Sequence, residues 1–264
     1  MAQKIALVVG GSNGIGQAIA THLISKGVFT VIASRNPDKT AAIAAKIGAS
    51  DHLIVDVSSQ ADVSRFAAQV RAKLSHIDFL VFTAGAVFDA KRLTADGVDE
   101  LVAVNHLWRF QLTTLLRDVY FDDPNFLKPG AKWTMVKALW QAQQLNDVFM
   151  LEAQRRWGSL GNGIQFHVVN PGIVSTNGDL SGLSPFGRFM FGTVLNPVKQ
   201  SMEASASRLC PILLDSMGDV GGKLWNASYW TGAVSEIKPA PRVVDTEYVA
   251  KCWALSENLL VKKN

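Results

Sequence analysis

The chain has 264 residues, of which 48% are hydrophobic, enough to build one large domain with a substantial core. Its 26 basic and 22 acidic residues give a net charge of +4, and this small, scattered excess argues against nucleic-acid binding. The two cysteines, Cys210 and Cys252, form no disulfide framework and indicate a reducing compartment. Without a signal-peptide pattern or an apolar run near ~20 residues, the sequence predicts a cytoplasmic protein with no integral membrane segment.

Strand and helix patterns alternate over the first hundred residues. Short continuous apolar runs predict strands buried on both faces at residues 5–9, 29–33, 53–55 and 79–82. Between them, apolar residues at helical spacing predict helices, including an alanine-rich one over residues 37–47. This order predicts an α/β fold with a doubly wound, mostly parallel sheet.

A long helix is predicted over residues 94–117, and Asn105 lies on its apolar face. A buried amide must find hydrogen-bond partners or it lowers stability. Two interpretations follow: Asn105 is a catalytic or water-holding amide, or it is a structural asparagine whose hydrogen bonds stay within the protein.

The alternation weakens after residue 117. Further strands are predicted at residues 131–136, 166–169 and 222–225, and a helix is predicted over residues 138–157. Residues 178–218 contain an apolar patch (Phe186, Phe189, Met190 and Phe191) and are interpreted as a small helical substrate cap within a single domain spanning residues 1–264. The patch either lines an apolar substrate site or belongs to the core.

The turn between the first strand and the first helix is rich in glycine. Gly10 permits a tight turn, Gly14 lets backbone N–H groups approach a pyrophosphate, and Gly16 lets helix and strand pack closely. The alternative is a plain tight turn, since a lone glycine triplet is weak evidence. The candidate cofactor-binding residues here are Gly10, Ser12, Asn13, Gly14, Ile15 and Gly16.

The end of the second strand carries a hydroxyl and two cations where an acidic residue would favour NAD. Ser34, Arg35, Asn36 and Lys39 instead suit a ribose 2′-phosphate, so the predicted cofactor is NADP. The alternative is that Arg35 is a solvated surface charge. After the third strand, Asp56 and Val57 either meet the adenine or begin the next helix as its cap.

Four segments together resemble the short-chain dehydrogenase/reductase family, nearest to its retinol-dehydrogenase-like and carbonyl-reductase-like branch. Residues 9–16 resemble T-G-x-x-x-G-I-G, residues 82–85 resemble N-N-A-G, residues 104–107 resemble the catalytic-asparagine helix, and residues 170–176 contain P-G-x-V-x-T. The resemblance implies a Rossmann fold with a seven-stranded sheet, a homodimer or homotetramer, and a catalytic role for Asn105. It also implies cofactor contacts from Thr83, Ala84, Gly85, Asn105, Pro171, Gly172, Val174 and Thr176.

The family's proton-transfer machinery, a serine followed by Y-x-x-x-K, is not found. In that machinery the lysine lowers the pKa of the tyrosine phenol, which exchanges a proton with the substrate oxygen. None of the three tyrosines has a lysine four residues later. One register places Leu139 or Trp140 at the tyrosine and Gln143 or Gln144 at the lysine; the other pairs Trp133 with Lys137 and makes Lys137 a catalytic candidate.

Three hypotheses remain. The first is an NADP(H)-dependent oxidoreductase that reduces a carbonyl or oxidises a secondary alcohol on a lipophilic small molecule. The second is a catalytically impaired NADP-binding pseudoenzyme. The third is a coding sequence that has lost its catalytic segment near residues 118–140. No metal is expected, since the five histidines lack metal-ligand spacing.

Overall fold

The computed structural model describes residues 3–117, 135–158, 165–171, 174, 184–189, 200–214, 223–227, 234–239 and 244–261. Its strands are β1 (Ile5–Val9), β2 (Phe29–Ser34), β3 (Asp51–Ile54), β4 (Phe79–Phe82), β5 (His167–Asn170), β6 (Lys223–Ala227) and β7 (Val234–Ile237). Its helices are α1 (Gly14–Ser25), α2 (Pro37–Ile47), α3 (Gln60–Lys73), α4 (Glu100–Val102), α5 (Trp108–Arg117), α6 (Met135–Ala153), α7 (Pro185–Phe189), α8 (Met202–Leu214) and α9 (Thr246–Val261). Two π-helical turns, Ala103–Leu107 and Gln154–Gly158, continue α4 and α6.

The first four strands form a parallel sheet in the order β3-β2-β1-β4. Val9, the last residue of β1, is paired with Ala33 of β2 on one side and with Phe82 of β4 on the other. The strand order therefore reverses at β1, between β2 and β4. In open α/β sheets, ligands bind in the crevice at the carboxyl ends of the strands at such a switch point.

Both faces of this sheet are covered by helices. Successive side chains of β1 point to opposite faces, so they pack in two different clusters. Leu7 and Val9 pack in one buried cluster, while Ala6 and Val8 pack in another. The first cluster includes Val63, Phe66 and Val70 of α3 and Trp108 and Leu112 of α5; the second includes Ile19 and Leu23 of α1 and Ala206 and Cys210 of α8. The predicted doubly wound α/β fold is confirmed.

The later strands form a separate three-stranded sheet in the order β5-β6-β7. β5 and β6 are parallel, and β6 and β7 are antiparallel. The strand predicted over residues 131–136 is wrong at Met135 and Val136, which begin α6; residues 131–134 lie outside the described part. A short apolar run is compatible with either a strand or a buried helix, and here Met135 and Val136 are helical.

The helix predicted to begin at residue 94 begins only at Glu100. Gly97 has a left-handed backbone with φ of 74°, which ends any helical path before it. Asp99 then caps the helix, and its Oδ1 accepts hydrogen bonds from the backbone N–H groups of Leu101 and Val102. The helix also contains the π turn at Ala103–Leu107, which the apolar periodicity did not predict.

α8 lies inside the segment that was interpreted as a substrate cap. Ala206 and Cys210 of α8 are buried with Ile19 and Leu23 of α1, so this helix packs on the outer layer of the first sheet. In α7, Phe189 is 56% exposed, while the side chain of Phe186 and residues 190 and 191 lie outside the described part. The cap interpretation stays a prediction for the rest of the segment.

Candidate cofactor and catalytic site

The glycine turn after β1 packs directly on the end of β4. Gly10 has φ of 97°, and a Cβ atom there would lie 2.5 Å from both Ala84 N and Thr83 Oγ1. The backbone N–H groups of Thr83 and Ala84 both donate to the Val9 carbonyl, at 2.8 and 3.1 Å. Only glycine tolerates both this backbone conformation and these short distances. The glycine turn therefore packs closely against the end of β4 at the switch point.

The N-terminus of α1 faces the same edge of the sheet. Asn13 occupies the cap position with extended backbone, and its side chain makes no capping hydrogen bond to the helix. The first turn of α1 contains no acidic residue, and Gly14 has φ of 55°. The positive end of the helix is therefore not neutralised by its own first turn, which fits a phosphate group.

Ser34 connects the glycine turn to the end of β2 through hydrogen bonds. Its hydroxyl donates to the Ala33 carbonyl at 2.7 Å and accepts the backbone N–H of Ser12 at 3.2 Å. Both contacts lie within the protein, so Ser34 positions the turn. The sequence predicted only a phosphate contact for this residue and missed its positioning role.

Arg35 and Lys39 are exposed at the start of α2, beyond the end of β2. Between them, Asn36 caps α2, and its side-chain oxygen accepts the Lys39 backbone N–H at 2.9 Å. Asp38 is the one acidic residue in the first turn of α2. The two cations thus flank a capped helix N-terminus, an arrangement that suits a phosphate group despite the nearby carboxylate.

Asp56 does not cap α3. Ser59 holds that position, and its hydroxyl accepts the Asp62 backbone N–H at 3.3 Å. Asp56 instead accepts hydrogen bonds from the backbone N–H and the hydroxyl of Ser58 at 3.0 and 2.7 Å. The helix-cap alternative is therefore wrong, while the predicted adenine contact of Asp56 and Val57 stays a prediction.

Asn105 lies in the π turn and ties it to the segment after β4. Its Nδ2 donates to the carbonyls of Ala86 and Leu101 at 2.8 and 3.0 Å, and its Oδ1 accepts the Ala86 N–H at 3.2 Å. Its backbone carbonyl accepts hydrogen bonds from Asn146 at 2.9 Å and from Arg109. This geometry is that of a structural asparagine, and a catalytic role for Asn105 stays a prediction.

Arg109 reaches back along its helix to the same point. Its guanidinium donates to the Asn105 carbonyl and, at 2.6 Å, to the Ala84 carbonyl. It also lies 4.9 Å from the centre of the Trp108 ring. Burial lowers the pKa of the guanidinium to about 10, so Arg109 remains charged at neutral pH. No sequence motif singled out Arg109, although its position one helical turn after Asn105 was a readable signal.

A chain of buried hydrogen bonds runs from Asn105 to α9. Asn146 donates to the Asn105 carbonyl at 2.9 Å, and its Oδ1 lies 3.0 Å from Nδ1 of His106. The other ring nitrogen, Nε2, lies 2.8 Å from the hydroxyl of Ser256. Because an amide oxygen only accepts, Nδ1 of the neutral ring carries the proton. The Ser256 hydroxyl also lies 3.1 Å from the Cys252 carbonyl, so its single proton can go to that carbonyl or to Nε2. Burial lowers the pKa of His106 to about 4.

The helix that should carry the tyrosine and lysine is α6. Lys137 lies in α6, but its side chain, like those of Leu139, Trp140 and Gln144, lies outside the described part. Gln143 is exposed and donates to Asp147 at 2.8 Å. Burial raises the pKa of Asp147 to about 6, and the bond from Gln143 opposes this shift. The catalytic role of Lys137 stays a prediction.

The P-G-x-V-x-T segment is described only in part. Pro171 follows the end of β5, and Val174 forms an isolated parallel bridge with Gln200. Gly172 and Thr176 lie outside the described residues. The structure therefore brings the glycine turn, the end of β4, Asn105 and the start of α2 to one edge of the first sheet, and it leaves the P-G contacts as predictions.

Within the described ranges, no group of three or more His, Cys, Asp or Glu side chains could hold a metal ion. Likewise, no described helix is both long enough and apolar enough to cross a membrane.

Together the sheet and the glycine turn define a doubly wound α/β protein with a Rossmann-like fold. Residues 4–120 match the family model described as short chain dehydrogenase. Human retinol dehydrogenase 13 is 27% identical, with 97% of this chain and 84% of that protein covered. Human polyprenol dehydrogenase is also 27% identical, with 66% of this chain and 62% of that protein covered.

A solved structure shares the fold. The short chain dehydrogenase from Burkholderia cenocepacia J2315 in complex with NADP has a TM-score of 0.67 and 19% identity, with 87% of this chain and 98% of that chain covered. These similarities support a member of the short-chain dehydrogenase/reductase family, nearest to its retinol-dehydrogenase-like branch.

Proposed function

We propose that this protein is an NADP(H)-dependent oxidoreductase acting on a carbonyl or secondary alcohol of a lipophilic small molecule. The observation that carries the proposal is the glycine turn, which packs against Thr83 and Ala84 and leaves the N-terminus of α1 without an acidic residue. These residues fit the pyrophosphate of a dinucleotide. When bound, the nicotinamide would supply or accept a hydride.

The preference for NADP(H) over NAD(H) rests on the start of α2. Arg35 and Lys39 are exposed there, where a ribose 2′-phosphate could reach both cations. An acidic residue at the end of β2 would bind a free 2′-hydroxyl and repel a phosphate, and Ser34 stands there instead. The neighbouring Asp38 weakens the field of these cations without cancelling it.

The substrate class is supported by two observations. The names of the similar curated proteins denote dehydrogenases of retinol and polyprenol. In this chain, Phe189 exposes 56% of its surface in the segment interpreted as a cap. An exposed aromatic side chain suits an apolar ligand better than a charged one.

A second candidate is a protein that binds NADP(H) without hydride chemistry. It is favoured by the sequence, in which no tyrosine precedes a lysine at the required spacing. The hydrogen bonds of the Asn105 side chain to Ala86 and Leu101 favour it too, since they leave this amide engaged with the protein. Both candidates require the cofactor, and they differ only in turnover.

One experiment separates the candidates. The full-length protein, with its length confirmed by mass spectrometry, is titrated with NADPH and then assayed for NADPH oxidation over a panel of lipophilic ketones and aldehydes. We expect binding together with formation of a defined alcohol. Binding without product across the panel, and across alcohols with NADP⁺, would establish the second candidate, whereas absence of dinucleotide binding would contradict both.

We expect Arg35→Ala to weaken NADPH binding about 10- to 100-fold, the loss of a charge-assisted contact, and to leave NADH binding unchanged. Ser34→Ala is the comparison. The Ser34 hydroxyl makes hydrogen bonds to Ser12 and Ala33, so we expect its loss to change the affinity for NADPH and for NADH equally. Dissociation constants of the parent and both variants test this. Equal affinity of the parent for NADPH and NADH would show that the cofactor preference is wrong.

A further inference from the structure

We propose that Arg109 is a further cofactor-binding residue, which places a fixed positive charge beside a bound dinucleotide at the crevice between β1 and β4. This inference rests on the proposed function, since it requires that the protein bind NADP(H). None of the family motifs identified in the sequence includes Arg109.

The position of the guanidinium supports this role. Its Nη2 donates to the Ala84 carbonyl at 2.6 Å, immediately after β4, and its Nη1 donates to the Asn105 carbonyl. A Cβ atom on the exposed Gly85 would lie 3.7 Å from Nη2. Arg109 therefore lies at the carboxyl end of β4, on the switch-point side of the sheet where α/β proteins bind their ligands.

Ala84 connects the guanidinium to the glycine turn. Its backbone N–H donates to the Val9 carbonyl at 3.1 Å, and a Cβ atom on Gly10 would lie 2.5 Å from its nitrogen. On the opposite side of the same residue, its carbonyl accepts from Arg109. One backbone residue thus separates the partly buried guanidinium from the turn that leads to the N-terminus of α1. A single anionic ligand can therefore lie between two centres of positive charge.

The charge of Arg109 has no acidic partner among the residues that the structure describes. Its guanidinium donates to two neutral carbonyls and lies over the Trp108 ring. A guanidinium has five N–H donors, so several remain for a ligand. Burial alone lowers the pKa of Arg109, which shows that the surroundings disfavour the charge. An anion would relieve this cost, because a buried charge is stable only when paired.

The side chain is also within reach of a ligand. Arg109 is partly buried, and Gly85 beside it is exposed and lacks a side chain that would cover the guanidinium. The alternative is that Arg109 only ties the π turn to β4. In that role Arg109 would contribute to the stability of the fold, but its charge would not affect the affinity for an anionic ligand. This difference separates the two roles.

The first test compares charge-removing and charge-keeping variants. We expect Arg109→Gln to weaken NADPH binding ~10-fold or more, and Arg109→Lys to stay within ~3-fold of the parent, as loss and retention of a charge-assisted contact predict. Arg71→Gln is the matched control, because Arg71 is exposed on α3 and its loss changes the net charge equally. Isothermal titration at two salt concentrations should show a smaller salt dependence for Arg109→Gln than for the parent.

A second measurement needs no variant. Phenylglyoxal modifies accessible arginines, and mass spectrometry gives the modification rate of Arg109 in the parent protein. We expect saturating NADPH to slow this rate ~10-fold, since a bound anion covers the guanidinium and engages its donors. The rate at exposed Arg71 should not change.

The outcomes separate the inference from the function on which it rests. If the parent binds NADPH and Arg109→Gln binds it equally well, or if NADPH fails to protect Arg109, the inference is overturned while the proposed function stands. If the parent binds no dinucleotide, the proposed function fails and the inference fails with it.

Discussion

Replacing Gly10 with alanine should destabilise the protein by about 3 to 5 kcal/mol and abolish measurable dinucleotide binding. The backbone of Gly10 is in the left-handed region at φ of 97°, which costs energy for any residue with a side chain. In addition, the new methyl group would lie 2.5 Å from Ala84 N and from Thr83 Oγ1, well inside van der Waals contact. Because one of these atoms is backbone, the clash can be relieved only by moving the glycine turn away from β4.

Gly27→Ala is the matched control for this prediction. Gly27 also has a left-handed backbone, with φ of 77°, but an added Cβ would meet no atom within 4 Å. We therefore expect this variant to lose only about 1 kcal/mol and to keep its affinity for NADPH. Urea unfolding and NADPH titration of both variants would measure the difference. If Gly10→Ala and Gly27→Ala lost similar stability, the short distance between Gly10 and β4 would not be the reason that glycine is required at position 10.

The stability of the protein should depend on pH through His106. The ring is fully buried and neutral, and burial lowers its pKa from the ordinary 6.5 to about 4. Between these values the unfolded chain takes up a proton that the folded chain does not, so acidification favours unfolding. Because of His106, we expect the free energy of unfolding to fall by about 3 kcal/mol between pH 7 and pH 4. We expect no such fall above pH 7.

A His106→Gln variant isolates this contribution. Asp147 acts in the opposite sense over much of the same range, because burial raises its pKa to about 6, and it therefore masks part of the effect in the parent. The difference in unfolding free energy between parent and variant removes the contribution of Asp147. This difference should narrow by about 3 kcal/mol from pH 7 to pH 4. A constant difference would mean that folding does not shift the pKa of His106.

The same histidine bears on the site through its neighbours. His106 and Asn105 are adjacent in the π turn, and Asn146 holds both, one through each end of its amide. Loss of His106 should therefore leave the Asn146 side-chain oxygen without this hydrogen bond, while the Asn105 carbonyl keeps its hydrogen bond from Arg109.

Much of the first sheet could be predicted from local pattern. The strand runs at residues 5–9 and 79–82 match β1 and β4, and the alanine-rich helix at residues 37–47 matches α2. These elements carry strong signals, either continuous apolar runs or a helix bounded by Pro37 and Gly48. The start of the helix at Glu100 was predicted six residues too early, because the capping Asp99 and the left-handed Gly97 decided the boundary and the apolar pattern did not.

The sequence by itself determined the fold class, the glycine turn, the cations beyond β2 and the absence of a Y-x-x-x-K segment. Each of these is a property of residues close together in the chain, where periodicity, turn chemistry and spacing act directly. Only the tertiary structure decided the roles of Ser34, Arg109 and Asn146. Their partners at Ser12, Ala84 and Asn105 lie 22, 25 and 41 positions away, and no local pattern encodes which distant carbonyl or N–H a polar side chain will meet when the sheet and helices pack.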